Sequence, residues 1–172
     1  SADAVARLVE AGVPPARPVI LAIPEALGSW VYRVLNTSDA EVHRVYALER
    51  ANHVQLLNVL ATTSRDPNGG PRCEIRTGEH LGAVAGVNWQ TPRFAEIYVY
   101  TDPAVRGRGW GKAVVSMVAA SVLESGRTPV YVVAESNDYS IRLAEAVGFR
   151  DTGAREILAE AVRPEPVTGP AV

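Results

Sequence analysis

Arg106-Gly107-Arg108-Gly109-Trp110-Gly111-Lys112 puts three glycines and three cations into one short stretch. Glycine allows positive φ and lets a ligand approach the backbone closely. Arginine and lysine add charge-assisted bonds to phosphate oxygens. The stretch follows an extended apolar run, Ile97-Tyr98-Val99-Tyr100-Thr101, and opens a long apolar segment whose pattern predicts a helix over 109–124. A helix start carries unpaired N–H groups and a partial positive charge, so it draws anions. The expected object is a phosphate cradle; the plainer alternative is a basic turn that only begins a helix. Two familiar glycine loops do not fit. A P-loop needs Ser or Thr after Gly-Lys, and Ala113 stands there, with Arg106 in place of the first glycine. The dinucleotide fingerprint needs its third glycine one residue later.

The spacing that does fit is Arg-x-x-Gly-x-Gly. Downstream, Asn137-Asp138-Tyr139-Ser140 is followed eight residues after the serine by Gly148-Phe149. Together these motifs resemble the acyl-CoA-binding signature of the GNAT superfamily of N-acyltransferases. The resemblance is strong over residues 81–158 and only topological before that. It implies an α+β fold in α/β/α layers. The central sheet would be mixed, largely antiparallel and of six to seven strands, with two splayed central parallel strands and about four flanking helices. It also implies acetyl-CoA as cosubstrate, lying in the splay. The pyrophosphate would rest on the stretch formed by Arg106, Gly107, Arg108, Gly109, Trp110, Gly111 and Lys112. The pantetheine arm would bond the strand edge at Val99, Tyr100 and Thr101. Asn137 and Ser140 would face the sulfur. In any fold Asn137 also reads as a helix N-cap, and Ser140 as a solvated helix residue.

The implied reaction is direct attack of a primary amine on the thioester in a ternary complex. The amine must lose a proton, the oxyanion needs a donor, and the leaving thiolate gains from a proton. A backbone N–H near Val99 is the expected oxyanion donor. Glu96 is the first choice of base and Glu135 the second, either acting through water; each also reads as a surface carboxylate at a strand end. His53 is a further candidate without a visible partner. The sequence departs from the common pattern at Ala144, where many members of the superfamily place a tyrosine acid. Serine at position 140 without that tyrosine resembles the branch that acetylates ribosomal-protein N-termini and its small-molecule relatives, in which the hydroxyl is a candidate acid. Tyr139 is expected to point elsewhere. Ala144 also motivates a rival reading, a catalytically weak CoA-binding regulatory or scaffold domain. A third reading is an α/β domain without a nucleotide ligand.

Several elements must position these residues. Residues 3–11 have a helical pattern ended by Gly12, and 19–23 suit a short strand stopped by Pro24. Residues 30–35 are aromatic and β-branched and predict the first core strand. Ser38 with Glu41 forms a capping-box pattern, and Val42, Val45, Tyr46 and Glu49 continue at helical spacing. Leu56, Leu57 and Leu60 predict a second helix; in the resembling family such a pair forms part of the acceptor wall. Residues 62–71 predict a loop. Strands are expected at 72–76, 81–90 and 94–101, with a hairpin at Thr91-Pro92-Arg93. Residues 129–135 lack polar alternation and predict a central strand parallel to its predecessor. A helix over 137–147 and a strand over 149–160, bent near Gly153, complete the core.

The chain of 172 residues fits one domain, with 1–28 as an N-terminal extension, 29–160 as the core and 161–172 as a loose tail. Hydrophobic residues at 47% are enough for a core and too many for a disordered chain. A net charge of −2 offers no broad basic face for nucleic acid. One cysteine allows no internal disulfide and no cysteine-rich zinc site, and no metal is expected. No apolar run reaches membrane-spanning length and no signal peptide is visible, so the expected location is cytoplasmic, without a membrane partner. The acceptor class stays open between a small molecule and a protein N-terminus or lysine. The expected state is a monomer or homodimer.

Overall fold

The computed structural model describes residues 2–165, in two compact units: Arg44–Gly153, and a second made of 2–43 with 154–165. The first is built around one helix, α3 (Trp110–Glu124). Val114, Val115 and Val118 on it are essentially inaccessible to solvent. Neighbouring buried positions such as Val114 and Val115 point in different directions round a helix, so α3 must be covered on more than one side. One side meets the strands β4 (Pro71–Thr77), β5 (His80–Gln90) and β6 (Phe94–Thr101), which contribute Cys73, Ile75, Ala83, Ala85, Ala95 and Ile97 to the same core. α4 (Asp138–Val147) adds Ile141, Leu143, Ala144 and Val147. Burying a valine side chain fully is worth roughly 1.5–3 kcal/mol over leaving it exposed, so this valine-rich helix is the main apolar anchor of the unit.

β3 (Ala61–Arg65), β4, β5 and β6 form an antiparallel succession, and β7 (Thr128–Ala134) lies parallel to β6. The order within this unit is β7-β6-β5-β4-β3, and β2 (Asn36–Ala47) neighbours β7. In the other unit β1 (Pro18–Pro24) pairs antiparallel with β8 (Arg150–Val162), which neighbours β2. That unit also holds α1 (Ala2–Gly12) and α2 (Gly28–Val31), with Val31, Leu35 and Ala161 as its buried cluster. The fold is thus mixed α+β and largely antiparallel, with eight strands and four α-helices among the described residues.

Several expectations are corrected. Residues 30–35 are not a strand: α2 and a helical turn occupy them, with Leu35 N–H donating to Val31 O at 3.0 Å. The two buried side chains, Val31 and Leu35, are four apart, a helical interval that the β-branched composition masked. Residues 36–47 form β2 rather than a capped helix. There Tyr46 is buried, as is Leu48 just beyond, at the two-residue interval of extended chain.

The expected helix near 56–60 is instead irregular chain and a turn, tied to α3. Ser116, buried on α3, replaces its helical hydrogen bonds: its Oγ accepts from Leu56 N–H at 3.0 Å and donates to Val54 O at 2.9 Å. The expected loop over 62–71 contains β3 and a turn in which Asp66 Oδ1 accepts from Asn68 and Gly70 N–H at 2.7 and 2.9 Å. The helical acceptor wall is therefore missing from 36–60, and with strands gained at β2 and β3 and one lost at 30–35 the described residues hold eight. At the other end, β8 continues to Val162, past the expected start of the tail; residues 166–172 lie outside the described residues.

Candidate active site

β6 and β7 are paired through Phe94↔Thr128, Ala95↔Pro129 and Glu96↔Val130, and no further. Both strands continue, β6 to Thr101 and β7 to Ala134, so they part from Ile97 and Tyr131 onward. On its other side β6 stays bonded to β5 as far as Thr101. A cleft of about 330 Å³ opens where the strands separate. Its walls are Val99, Tyr100 and Thr101 from β6, Arg106 from the glycine loop, and Asn137, Tyr139, Ser140 and Leu143 from the start of α4. The larger cavity, about 570 Å³, lies by Arg65 and Arg127 near the far end of α3, away from these motifs. Its arginines already serve local backbone: Arg65 donates to Gly69 O at 2.7 Å and Arg127 to Thr91 O at 2.9 Å. The smaller cleft, which the motif residues line, is the candidate site.

Two glycines of the loop take backbone conformations that L side chains rarely adopt. Gly107 and Gly109 sit at φ 81° and 78°, where L side chains are strained, and a Cβ on either would meet no protein atom. Gly109 is the left-handed N-cap of α3 and supplies no side-chain cap. The first N–H groups of α3 therefore lack a side-chain acceptor, as an anion site requires. Gly111 has a different job. A Cβ there would lie 2.6 Å from Thr101 Oγ1 and 2.9 Å from Leu143 Cδ1, so its bare backbone lets α3 approach β6 and α4. Aromatic rings steer the loop arginines: Arg106 lies 5.6 Å from the Tyr139 ring centroid and Arg108 5.6 Å from that of Trp110. Lys112 is exposed on the first turn of α3.

Thr101 was expected to offer only its backbone. The residue is 8% exposed, and Oγ1 is buried with no hydrogen-bond partner among the described residues. A buried orphan hydroxyl costs about 1–3 kcal/mol, and a polar ligand in the cleft would relieve that cost. Asn137 is the N-cap of α4, its Oδ1 accepting from Ser140 N–H at 3.1 Å, and it also lines the cleft. Ser140 Oγ lies 2.6 Å from Tyr131 Oη. Tyr139, expected to point elsewhere, is a wall of the cleft. Ala144 is fully buried in the core.

The expected bases lie outside the cleft walls. Glu96 belongs to the last parallel pair before the strands part, and its carboxylate accepts from Asn88 Nδ2 at 2.9 Å and from Trp89 Nε1. Glu135 follows β7 and pairs with Arg44 at 3.2 Å. His53 is turned onto α3, its Nε2 3.1 Å from both Ser116 O and Oγ, where it ties the irregular segment to the helix. Glu96 and Tyr98 alternate with the buried Ala95 and Ile97 and so face away from α3. Tyr98 Oη accepts from Arg72 at 2.9 Å, and Arg72 and Arg76 both pair with Glu74. Hydrogen bonds from Arg76 and then Arg72 hold the Glu74 carboxyl below the usual carboxylate range, against partial desolvation. Sequence reasoning missed Tyr131 because a tyrosine in an apolar strand reads as core; only the fold brings it to Ser140.

Residues 75–158 match the family model described as FR47-like protein. A protein from Novosphingobium aromaticivorans assigned to the GNAT acetyltransferases superposes with a TM-score of 0.74 at 19% identity, over 92% of this chain and 80% of that one. The chain thus has the fold of the GNAT acetyltransferases. A GNAT-family acetyltransferase from Colwellia psychrerythraea matches with a TM-score of 0.63 at 10% identity, covering 92% of this chain and 71% of that one. A GCN5-related N-acetyltransferase from Kribbella flavida gives 0.61 at 13% identity, covering 82% and 67%. No curated protein matches the sequence. At these identities the GNAT neighbours show the fold alone. Among the described residues no helix is long and apolar enough to cross a membrane.

Proposed function

We propose that this GNAT-fold chain is an N-acetyltransferase that takes acetyl-CoA and a primary amine. The observation that carries this reading is the parting of β6 and β7 after Glu96–Val130, which leaves a cleft walled by Val99, Thr101, Asn137 and Ser140 beside an uncapped helix start. The residues present suit the cosubstrate. The N–H groups at the start of α3, with Arg106, Arg108 and Lys112, would hold the diphosphate. The unpaired edge of β6 and the orphan Thr101 hydroxyl would bond the pantetheine amides. When bound, acetyl-CoA supplies an activated acyl carbon and a thiolate leaving group.

The chain's own contribution is positioning and charge placement. A β6 backbone N–H near Val99 would donate to the developing oxyanion. Glu96, held by Asn88 and Trp89, would take the amine proton through water, with Glu135 as the second choice. Ser140 would serve the sulfur. The buried Ala144 keeps alive the rival reading of a CoA-binding domain with weak turnover. Incubation with acetyl-CoA and a broad panel of primary amines, followed by assay of free thiol, separates the two. Acetyl-CoA-dependent thiol release that requires an amine is expected. CoA binding with no release across the panel would favour the rival.

A further inference from the structure

We infer that Tyr131, buried on β7, sets the direction of the Ser140 hydroxyl so that Ser140 donates its own O–H to the sulfur in the cleft. The inference rests on the acyl-CoA reading above and makes Tyr131 a positioning residue for the leaving group.

Tyr131 is the first β7 residue past the last parallel pair, so it stands at the apex of the parted strands. It is 3% exposed and its ring packs at 55° against Phe149, with centroids 5.7 Å apart. Its hydroxyl lies 2.6 Å from Ser140 Oγ and has no other partner among the described residues. A phenol is far more acidic than an aliphatic alcohol, so in a bond between the two the phenol donates and the serine accepts. The Ser140 proton is then excluded from the Tyr131 direction and left to the cleft that Ser140 lines. The N-cap bond from Ser140 N–H to Asn137 fixes the first turn of α4, so the oxygen itself is well placed. Burial pushes the Tyr131 phenol above its ordinary value, with the Ser140 bond opposing and Tyr139 adding to the rise, so the phenol remains a donor at neutral pH. The tyrosine that Ala144 lacks is thus replaced by one reaching across from the strand.

In the transfer, the C–N bond forms and the C–S bond breaks with its electron pair kept by sulfur. Ser140 donates a hydrogen bond to that sulfur while accepting one from Tyr131. Neither hydroxyl gives up its proton; the amine's proton leaves by the base and water described above. The pair therefore lowers the basicity of the departing thiolate through a polarised chain of two hydrogen bonds.

The test needs no acceptor amine. The thiol pKa of protein-bound CoA is read from thiolate absorbance across pH, in the unaltered chain, Tyr131→Phe, Ser140→Ala and the double variant. Tyr100, Arg106 and Tyr139, the other titratable groups of the cleft, are the same in all four. The bound thiol should titrate below free CoA. Each single change should raise its pKa by about one unit, a tenfold fall in thiolate fraction near neutral pH, and the double variant should go no further. Tyr131→Phe should also lower kcat with KM for acetyl-CoA unchanged. A folded, CoA-binding Tyr131→Phe protein with the unaltered thiol pKa would overturn the inference, whatever Ser140→Ala does. Absence of CoA binding by the unaltered chain would remove the acyl-CoA reading, and the inference with it.

Discussion

Thr101 bears two opposed demands. Its Oγ1 is buried and unpartnered in the described structure, yet it forms part of the cleft wall. Thr101→Val keeps the shape and deletes the orphan, so unfolding stability should hold or rise by up to about 1 kcal/mol. If Oγ1 bonds CoA as proposed, the same change removes that bond and affinity should fall roughly three- to tenfold. Urea unfolding and calorimetric titration check the two signs; a destabilised variant with unaltered affinity would show that Oγ1 serves the fold alone. Cys73 gives a second residue-scale test. Burial first, then the Glu74 charge, pushes its thiol from 9.0 up to about 11. The folded state therefore favours the protonated form. This contribution is fully present below pH 9 and is lost as pH rises from 9 towards 11. At pH 8 a thiol reagent should label Cys73 in urea but not in the native protein. Rapid native labelling would contradict its burial. The loop motif, the N-cap Asn137 and the Ser140 position were all legible in the sequence because each is a local spacing. The role of Tyr131 was not, because it depends on where β7 is carried relative to α4.

The joint beside the cleft is the close approach of α3 to β6 and α4 at Gly111. Gly111→Ala would gain up to about 1 kcal/mol of helix propensity. Against that, the new Cβ would fall 2.6 Å from Thr101 Oγ1 and 2.9 Å from Leu143 Cδ1, and overpacking of this kind costs about 1–3 kcal/mol. The clash should win: Gly111→Ala is expected to unfold at lower urea and to bind CoA more weakly, as the wall at Thr101 shifts. A stabilised variant would mean that α3 is free to move outward. The elements around this joint were readable because each satisfies its own pattern: β6, β7 and α3 are strongly apolar, Gly126 follows the end of α3 and Gly148 caps α4. The segment from Trp30 to Leu60 was misread for a physical reason. Its local signals, a capping box and leucines at helical intervals, compete with longer-range partners. Leu48 N–H donates to Pro129 O at 3.0 Å, and Ser116 captures the backbone at Val54 and Leu56. Those partners lie far along the chain, so periodicity within the segment does not register them.

At the scale of the whole molecule, every residue lining the cleft belongs to the Arg44–Gly153 unit, so the proposed chemistry needs no side chain from the other. The net charge is −2, so attraction of an anionic cosubstrate must come from the local field of Arg106, Arg108, Lys112 and the start of α3. Exposed charges of this kind are screened over about 8 Å at physiological salt, so binding should weaken as salt rises. The central claim is that the space between the parted strands holds coenzyme A. Hydrogen–deuterium exchange with and without CoA locates the ligand on the backbone directly. The account predicts new protection at the amides of 99–101 and 107–112, with none added around Arg65 and Arg127. Unchanged exchange along β6 and the glycine loop at saturating CoA, or protection confined to the far end of α3, would contradict it.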